Sequence, residues 1–226
     1  MALVTFKDLC IDGNDIATLE GFWSRVLDLR GEIFADDGSG VLRGGDDPHR
    51  TVWLNLVPEA KTVKNRVHLD VQATSLDPFA GLERVTPEDA DLPWTTFLDP
   101  EGNEFCVFVG DRRPPGLKDV VVDAADHRAI SRWWADVWGG TLAHDDGYSH
   151  LDDIPGAPVE SFDFVPVPEP KTVKNRLHWD VDLVDGATIG DLVAKGASVL
   201  AEPTEDTRWT VMADPEGNEF CAFAAR

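Results

Sequence analysis

Positive charge is scarce in this chain: 20 Lys and Arg stand against 42 Asp and Glu in 226 residues, a formal net charge of −22. A surface this acidic repels polyphosphate backbones and anionic lipids, so neither nucleic-acid binding nor a membrane-surface role is expected. No apolar run reaches the 18 or so residues that a spanning helix needs, and Met1 to Asp8 lacks the basic flank and apolar stretch of a secretion signal. A cytoplasmic protein is the expectation. Cysteine is limited to Cys10, Cys106 and Cys221 with no CxxC spacing, which argues against a disulfide framework and a zinc ribbon. Reduced thiols are expected, with Cys10 an ordinary buried strand position. GxGxxG, P-loop and GxSxG motifs are missing, and nothing around Cys106 or Cys221 signals an activated thiolate, so nucleophilic catalysis finds no support.

What the chain does have is itself, twice. Lys61-Thr62-Val63-Lys64-Asn65-Arg66 returns unchanged at Lys171 to Arg176, and Asp99-Pro100-Glu101-Gly102-Asn103-Glu104-Phe105-Cys106 returns at Asp214 to Cys221. The period is too long for a solenoid unit and matches a small domain. Arg112-Arg113-Pro114-Pro115-Gly116 forms the seam, because adjacent prolines remove backbone donors. Two domains are expected, residues 1–113 and 114–226.

Within the first copy, Val4 to Ile11 reads as a strand and Asp15 as the cap of a helix whose Ile16, Leu19, Trp23, Val26 and Leu27 share one face. Three short strands follow. After the Lys61 to Arg66 loop the order restarts with a strand at Val67 to Val71, a short helix capped by Asp77 and running through Val85, and a closing hairpin of Thr95 to Leu98 and Glu104 to Val109. Each copy is then two βαβββ halves.

The first strand near Asp8, the Phe22-Trp23 helix, the Asn65-Arg66-Val67-His68 strand and the DPEGNEF hairpin together resemble the vicinal oxygen chelate superfamily. Within it they look like the glyoxalase-like domains allied to glyoxalase, bleomycin-resistance and extradiol-dioxygenase proteins. The resemblance implies an α+β fold of two tandem glyoxalase-like domains, each a pair of βαβββ modules forming an open, cleft-forming mixed sheet. It also implies where a metal would bind. His68 and His178 fall at ligand-like places, Asp8 and Asp119 at the first-strand position, and Cys106 and Cys221 where metal-using relatives carry a carboxylate. A fourth position lies near Asn55, and in the second copy at Val165 or Asp163. An Asp/His/Cys mixture suits Zn²⁺ and not Mg²⁺ or Mn²⁺.

Read from the residues alone, His68 and Asp70 share a strand face, as do His178 and Asp180. Each imidazole is either a structurally paired strand histidine or a cleft group that donates a hydrogen bond or acts as a general base. The basic Lys61 to Arg66 loop either holds an anion or is tied internally to the acidic Asp99 to Glu104 turn. Trp23, Trp133, Trp134 and Trp138 sit at core spacing on helices, whereas Trp53, Trp94, Trp179 and Trp209 lie on or beside strands that would line the cleft.

The resulting expectation is a small-molecule-binding protein of the glyoxalase/bleomycin-resistance kind, with a cleft in each domain and no cofactor. Its ligand-binding residues would be His68, Asp70, Cys106, Trp53 and Trp94, with His178, Asp180, Cys221, Trp179 and Trp209 in the second copy. The alternative is a divalent-metal-dependent lyase, isomerase or dioxygenase holding zinc or another divalent ion on Asp8, His68, Asp119 and His178. In either case the expected form is a monomer with the two copies packed together.

Overall fold

Asp15 begins the first helix as its place before Ile16 predicts: its side chain accepts the backbone N–H and the hydroxyl of Thr18, satisfying donors that a helix start leaves open. A computed structural model describes residues 2–205 and 207–225. The first copy runs β1 (Val4–Gly13), α1 (Ile16–Leu27), β2 (Arg30–Ile33), β3 (Gly40–Gly44), β4 (Asp47–Leu56), β5 (Val67–Ala73), β6 (Trp94–Leu98) and β7 (Glu104–Val109). The second runs β8 (Gly116–Ala124), α2 (His127–Trp138), β9 (Thr141–His144), β10 (Ser149–Asp152), β11 (Ser161–Pro166), β12 (Leu177–Leu183), α3 (Ile189–Ala194), β13 (Ser198–Ala201), β14 (Trp209–Ala213) and β15 (Glu219–Phe223).

These strands form two open mixed sheets, in the orders β13-β14-β15-β12-β1-β4-β3-β2 and β6-β7-β5-β8-β11-β10-β9. The sheets do not follow the repeat boundary. β1 pairs antiparallel with β12 and β5 antiparallel with β8, so each sheet joins the first module of one copy to the second module of the other. The expected βαβββ pairs exist, but the partners are exchanged between copies. Contacts across the copies come in matched sets: Lys64 with Asp123 and Lys174 with Asp12, the N–H of Asp12 to the carbonyl of Arg176 and that of Asp123 to Arg66.

The second module of the first copy is the most reduced. The helix expected from Asp77 through Val85 is only one 3₁₀ turn, Asp77–Phe79, and a single bridge between Arg84 and Phe97 stands where the other sheet has β13. Gly81 inside the segment and Pro87 just after it both disfavour continuing the helix.

One continuous core lies between the sheets and helices. Trp23, Trp134 and Trp138 are fully buried there, with Trp134 stacked on Trp138 at 4.1 Å between ring centroids. The two DPEGN turns are fastened to it. Gly102 and Gly217 adopt φ of 80° and 86°, a left-handed geometry that costs a side-chain-bearing residue about 1 kcal/mol or more. The Asp99 carboxylate accepts from the backbone N–H of Glu101 and Asn103, from Asn103 Nδ2 and from Trp23 Nε1 at 2.8–3.1 Å, and Asp214 repeats all four contacts with Glu216, Asn218 and Trp134.

The other duplicated motif docks onto this turn. Asn65 Nδ2 donates to Asn103 Oδ1 at 2.9 Å, the Asn65 N–H to Glu104 at 3.1 Å, and Lys61 pairs with Glu104 at 3.1 Å; Asn175, Asn218, Lys171 and Glu219 do the same. The residues repeated letter for letter therefore hold hairpin, loop and helix together. Anion capture is not needed to explain the basic loops.

Candidate functional site

On each sheet the central strands turn alternate residues to the core and to the open side. In β1, Leu9 and Ile11 enter the core while Asp8, Cys10 and Asp12 face the other way, and in β12 Trp179 and Val181 enter the core while His178 and Asp180 face Cys10. This cleft floor collects Cys10, His178 and Asp180, with ligand-capable atoms all within 4.8 Å of one another. On the other sheet the same face of β5 and β7 collects His68, Asp70 and Cys106, also within 4.8 Å. Each cleft thus presents an imidazole, a carboxyl and a thiol.

Burial sets the protonation of these groups, since removing water disfavours whichever form is charged. His68 is held down to about 3 by desolvation and the nearby Lys64, so it is neutral at any ordinary pH. Asp70 is pushed up to about 8 by burial first and then by the carboxylates Asp119 and Asp163. His68 Nε2 lies 3.5 Å from Asp70 Oδ1, too long for a good hydrogen bond, and both His68 Nδ1 and Asp70 Oδ1 are buried without a partner. In the eight-stranded sheet Asp180 is raised to about 7 by burial, and the His178 imidazole is lowered, also by burial. His178 Nδ1 is likewise unpartnered. A neutral base thus stands beside a protonated carboxyl near pH 7, a pair able to accept and donate a proton to one bound molecule.

The thiols are not nucleophiles in this state. Cys106 is raised to about 12, and Cys221 is raised too, each by burial first and then by the neighbouring aspartate. Cys10 donates toward Asp180 at 3.5 Å and is raised in the same way. The expectation that Cys10 is ordinary strand packing is therefore corrected: it belongs to the cleft floor, and its counterpart Val121 makes the two floors different. The signal in the sequence was its even spacing from Asp8 and Asp12, both polar.

Asp8 and Asp119 reach the open face but are already engaged. Asp8 pairs with Lys7 and accepts Trp53 Nε1 at 3.0 Å, while Asp119 pairs with Lys118 and accepts the Ser161 N–H at 3.2 Å. Neither belongs to a three-donor group among the described residues. Trp53, Trp94 and Trp209 are half-buried on the cleft side, Trp94 beside Phe108 and Trp209 beside Phe223. Trp179 is the exception. It follows His178 directly, so the two-residue period sends it to the opposite face, where its ring packs fully buried against Trp134 and Phe162. Strand pairing also fixes the open alignment: Cys10 opposes Trp53 where Val121 opposes Asp163, and Asp12 opposes Asn55 where Asp123 opposes Val165. Val165 is the partner of Asn55, and Asp163 stands in place of Trp53.

Two cavities adjoin these features. The larger, about 970 Å³, lies between the two basic loops, where Lys61, Lys64, Lys174 and Arg176 are each already paired with a carboxylate. The smaller, about 650 Å³, opens on the seven-stranded sheet over Asp119 and Asp163.

Three comparisons bear on this architecture. The crystal structure of glyoxalase I from Zea mays superposes with a TM-score of 0.71 at 12% identity, covering 97% of this chain and 92% of that one. A putative dioxygenase from Bacillus subtilis subsp. subtilis str. 168 gives 0.64 at 12% identity over 99% and 86%, and the cppA protein from Streptococcus pneumoniae TIGR4 gives 0.54 at 11% over 99% of each. At such identities the likeness is one of fold. No curated protein sequence matches the chain. The model of the glyoxalase-like domain matches twice, over residues 8–108 and 119–223, so the chain belongs to the glyoxalase-like domain family as a tandem pair within the vicinal oxygen chelate superfamily.

Proposed function

We propose that the protein binds small organic molecules in two clefts, one on each sheet, and orients them with the imidazole, carboxyl and thiol on the cleft floor. The observation that carries this reading is a set of three unspent polar atoms: His68 Nδ1, Asp70 Oδ1 and His178 Nδ1 are buried and have no partner among the described residues, although buried polar atoms are normally satisfied. A few convergent polar groups among apolar and aromatic walls are the usual make-up of a ligand site. A thermal-shift panel of aromatic metabolites and antibiotics tests it. Stabilisation by at least one compound, reduced in His68→Ala or His178→Ala, is expected; a protein indifferent to the whole panel would remove the proposal.

A second reading, a metal-dependent lyase, isomerase or dioxygenase, is favoured by the compactness of the two three-donor groups. Imidazole, carboxylate and thiolate fit Zn²⁺, with Asp180 and Asp70 as the oxygen donors in preference to the already engaged Asp8 and Asp119. Such an ion would supply a Lewis acid at the floor and would hold Asp70, Asp180 and the thiols ionised. Metal analysis of the purified protein separates the readings. About two equivalents that fall on His68→Ala and His178→Ala would raise the second above the first, and trace metal indifferent to both changes would retire it.

A further inference from the structure

The cleft of the seven-stranded sheet carries more carboxyl groups than cations. Asp70, Asp119 and Asp163 occupy the open faces of three neighbouring strands, β5, β8 and β11. The basic groups lining this cleft are already paired. Lys118 pairs with Asp119, lies 3.6 Å from Glu160 and covers the Phe108 ring at 4.8 Å, and His150 stands between Asp145 at 3.3 Å and Asp152 at 3.6 Å. That leaves Asp163 accepting only the Ser161 hydroxyl, at 2.6 Å, and Asp70, 5% exposed, with an unpartnered oxygen. The cavity of about 650 Å³ opens over Asp119 and Asp163, with Tyr148 beside His150 on its wall, and Asp70 lies on the adjoining strand β5 opposite Asp119.

The other cleft does not share this imbalance. Trp53 stands at the place of Asp163, donates its ring N–H to Asp8 and packs against Phe34, and Lys7 comes within 3.9 Å of Asp180. The two floors differ in charge as well as in shape.

Resting on the reading of the clefts as ligand sites, we infer that the cleft of the seven-stranded sheet selects organic cations. A protonated amine would lie over Asp163 and Asp70, with the body of the ligand against Tyr148. An ammonium supplies what the buried carboxyls lack, and in a partly desolvated cleft that attraction is far stronger than in water. A neutral ligand of the same shape would leave the carboxyls without a counter-charge, and an anionic one would add repulsion. The acidic surface concentrates such cations at the entrance.

Three compounds of one scaffold make the test: tryptamine, indole-3-ethanol and indole-3-propionate, titrated calorimetrically into protein freed of metal by chelation. The only tyrosine in the sequence, Tyr148, is a ready-made NMR reporter of this cleft. Tryptamine is expected to bind and to shift the Tyr148 ring resonances. In Asp163→Asn, with unchanged Tm, its affinity should fall at least tenfold, while indole-3-propionate should leave Tyr148 unmoved in both proteins. Tighter binding of the alcohol or the acid at Tyr148 would overturn the selectivity and leave ligand binding standing. Failure of all three to move Tyr148 would also overturn the inference, and the thermal-shift panel then decides the broader reading independently.

Discussion

The two sheets are one design with changes at the floor. The eight-stranded sheet has Cys10, Trp53 and Asn55 where the seven-stranded sheet has Val121, Asp163 and Val165, while the Lys-Asn-Arg loop and the Asp-Pro-Glu-Gly-Asn turn are kept in both. The first cleft gains a second thiol beside Asp180 and an aromatic wall, and the second gains an unmatched carboxyl and an open cavity. Duplication within one chain has kept the loop-and-turn framework in both copies and changed side chains where a ligand would lie.

The largest effect that sharpens this contrast is expected in the shared core. Trp134 packs against Trp133, Trp138, Trp179 and Phe220, whereas Trp23 packs against Phe22 and Phe105. Loss of each ring also removes one of the four donors to a turn aspartate. Trp134→Ala should cost about 5 kcal/mol and Trp23→Ala about 3 kcal/mol in denaturant unfolding. The opposite order would show that the two cores are not weighted as their packing suggests.

Next comes the pH dependence of the seven-stranded floor. His68, lowered to about 3, makes folding more favourable as pH rises toward its ordinary 6.5, because below that the unfolded chain binds a proton the native one refuses. Asp70, raised to about 8, acts oppositely between its ordinary 3.8 and 8, where the native state holds the proton. The two oppose each other up to about pH 6.5 and only the aspartate acts beyond it, so these groups predict a stability loss between roughly pH 6.5 and 8, at about 1.4 kcal/mol per unit. Asp70→Asn should lessen that loss, and what Asp180, raised to about 7, still contributes should be over by about pH 7. Urea titrations at pH 5, 6.5 and 8 suffice to check it.

The smallest expected difference lies at two equivalent glutamates. Glu101 receives the backbone N–H of Asn14 and Asp15 and pairs with Arg176 at 2.6 Å; Glu216 receives those of Ala125 and Asp126, and no arginine pairs with it among the described residues. Glu101→Gln should therefore cost about 1 kcal/mol more than Glu216→Gln. Equal costs would mean that Arg176 is held sufficiently by the Glu59 carbonyl, which it also binds at 2.7 Å.

Most of the scaffold could be read in the sequence because it depends on short-range rules. Asp15 before an apolar-periodic segment, glycine in the DPEGN turn and even spacing of His68 and Asp70 each act within a few residues. The exchange of modules could not, since β1 has the same apolar and polar pattern whether it pairs with β5 or β12. Cys10 was missed for a related reason. A lone cysteine in a strand looks like packing until the opposing strand brings His178 and Asp180 to it. Trp179 shows the converse, for its parity with His178 already placed it inward.

The exchange of modules also reaches into biosynthesis. β1 is complete when about a dozen residues have been made, but its antiparallel neighbour β12 ends at Leu183, so one side of a central strand waits for most of the chain to leave the ribosome. An unpaired strand is a template for any complementary strand, and two nascent chains side by side each carry a free β1 and a free β5. The short Pro-Pro-Gly connection leads directly into β8, the partner of β5, and so raises the effective concentration of that one pairing within a single chain.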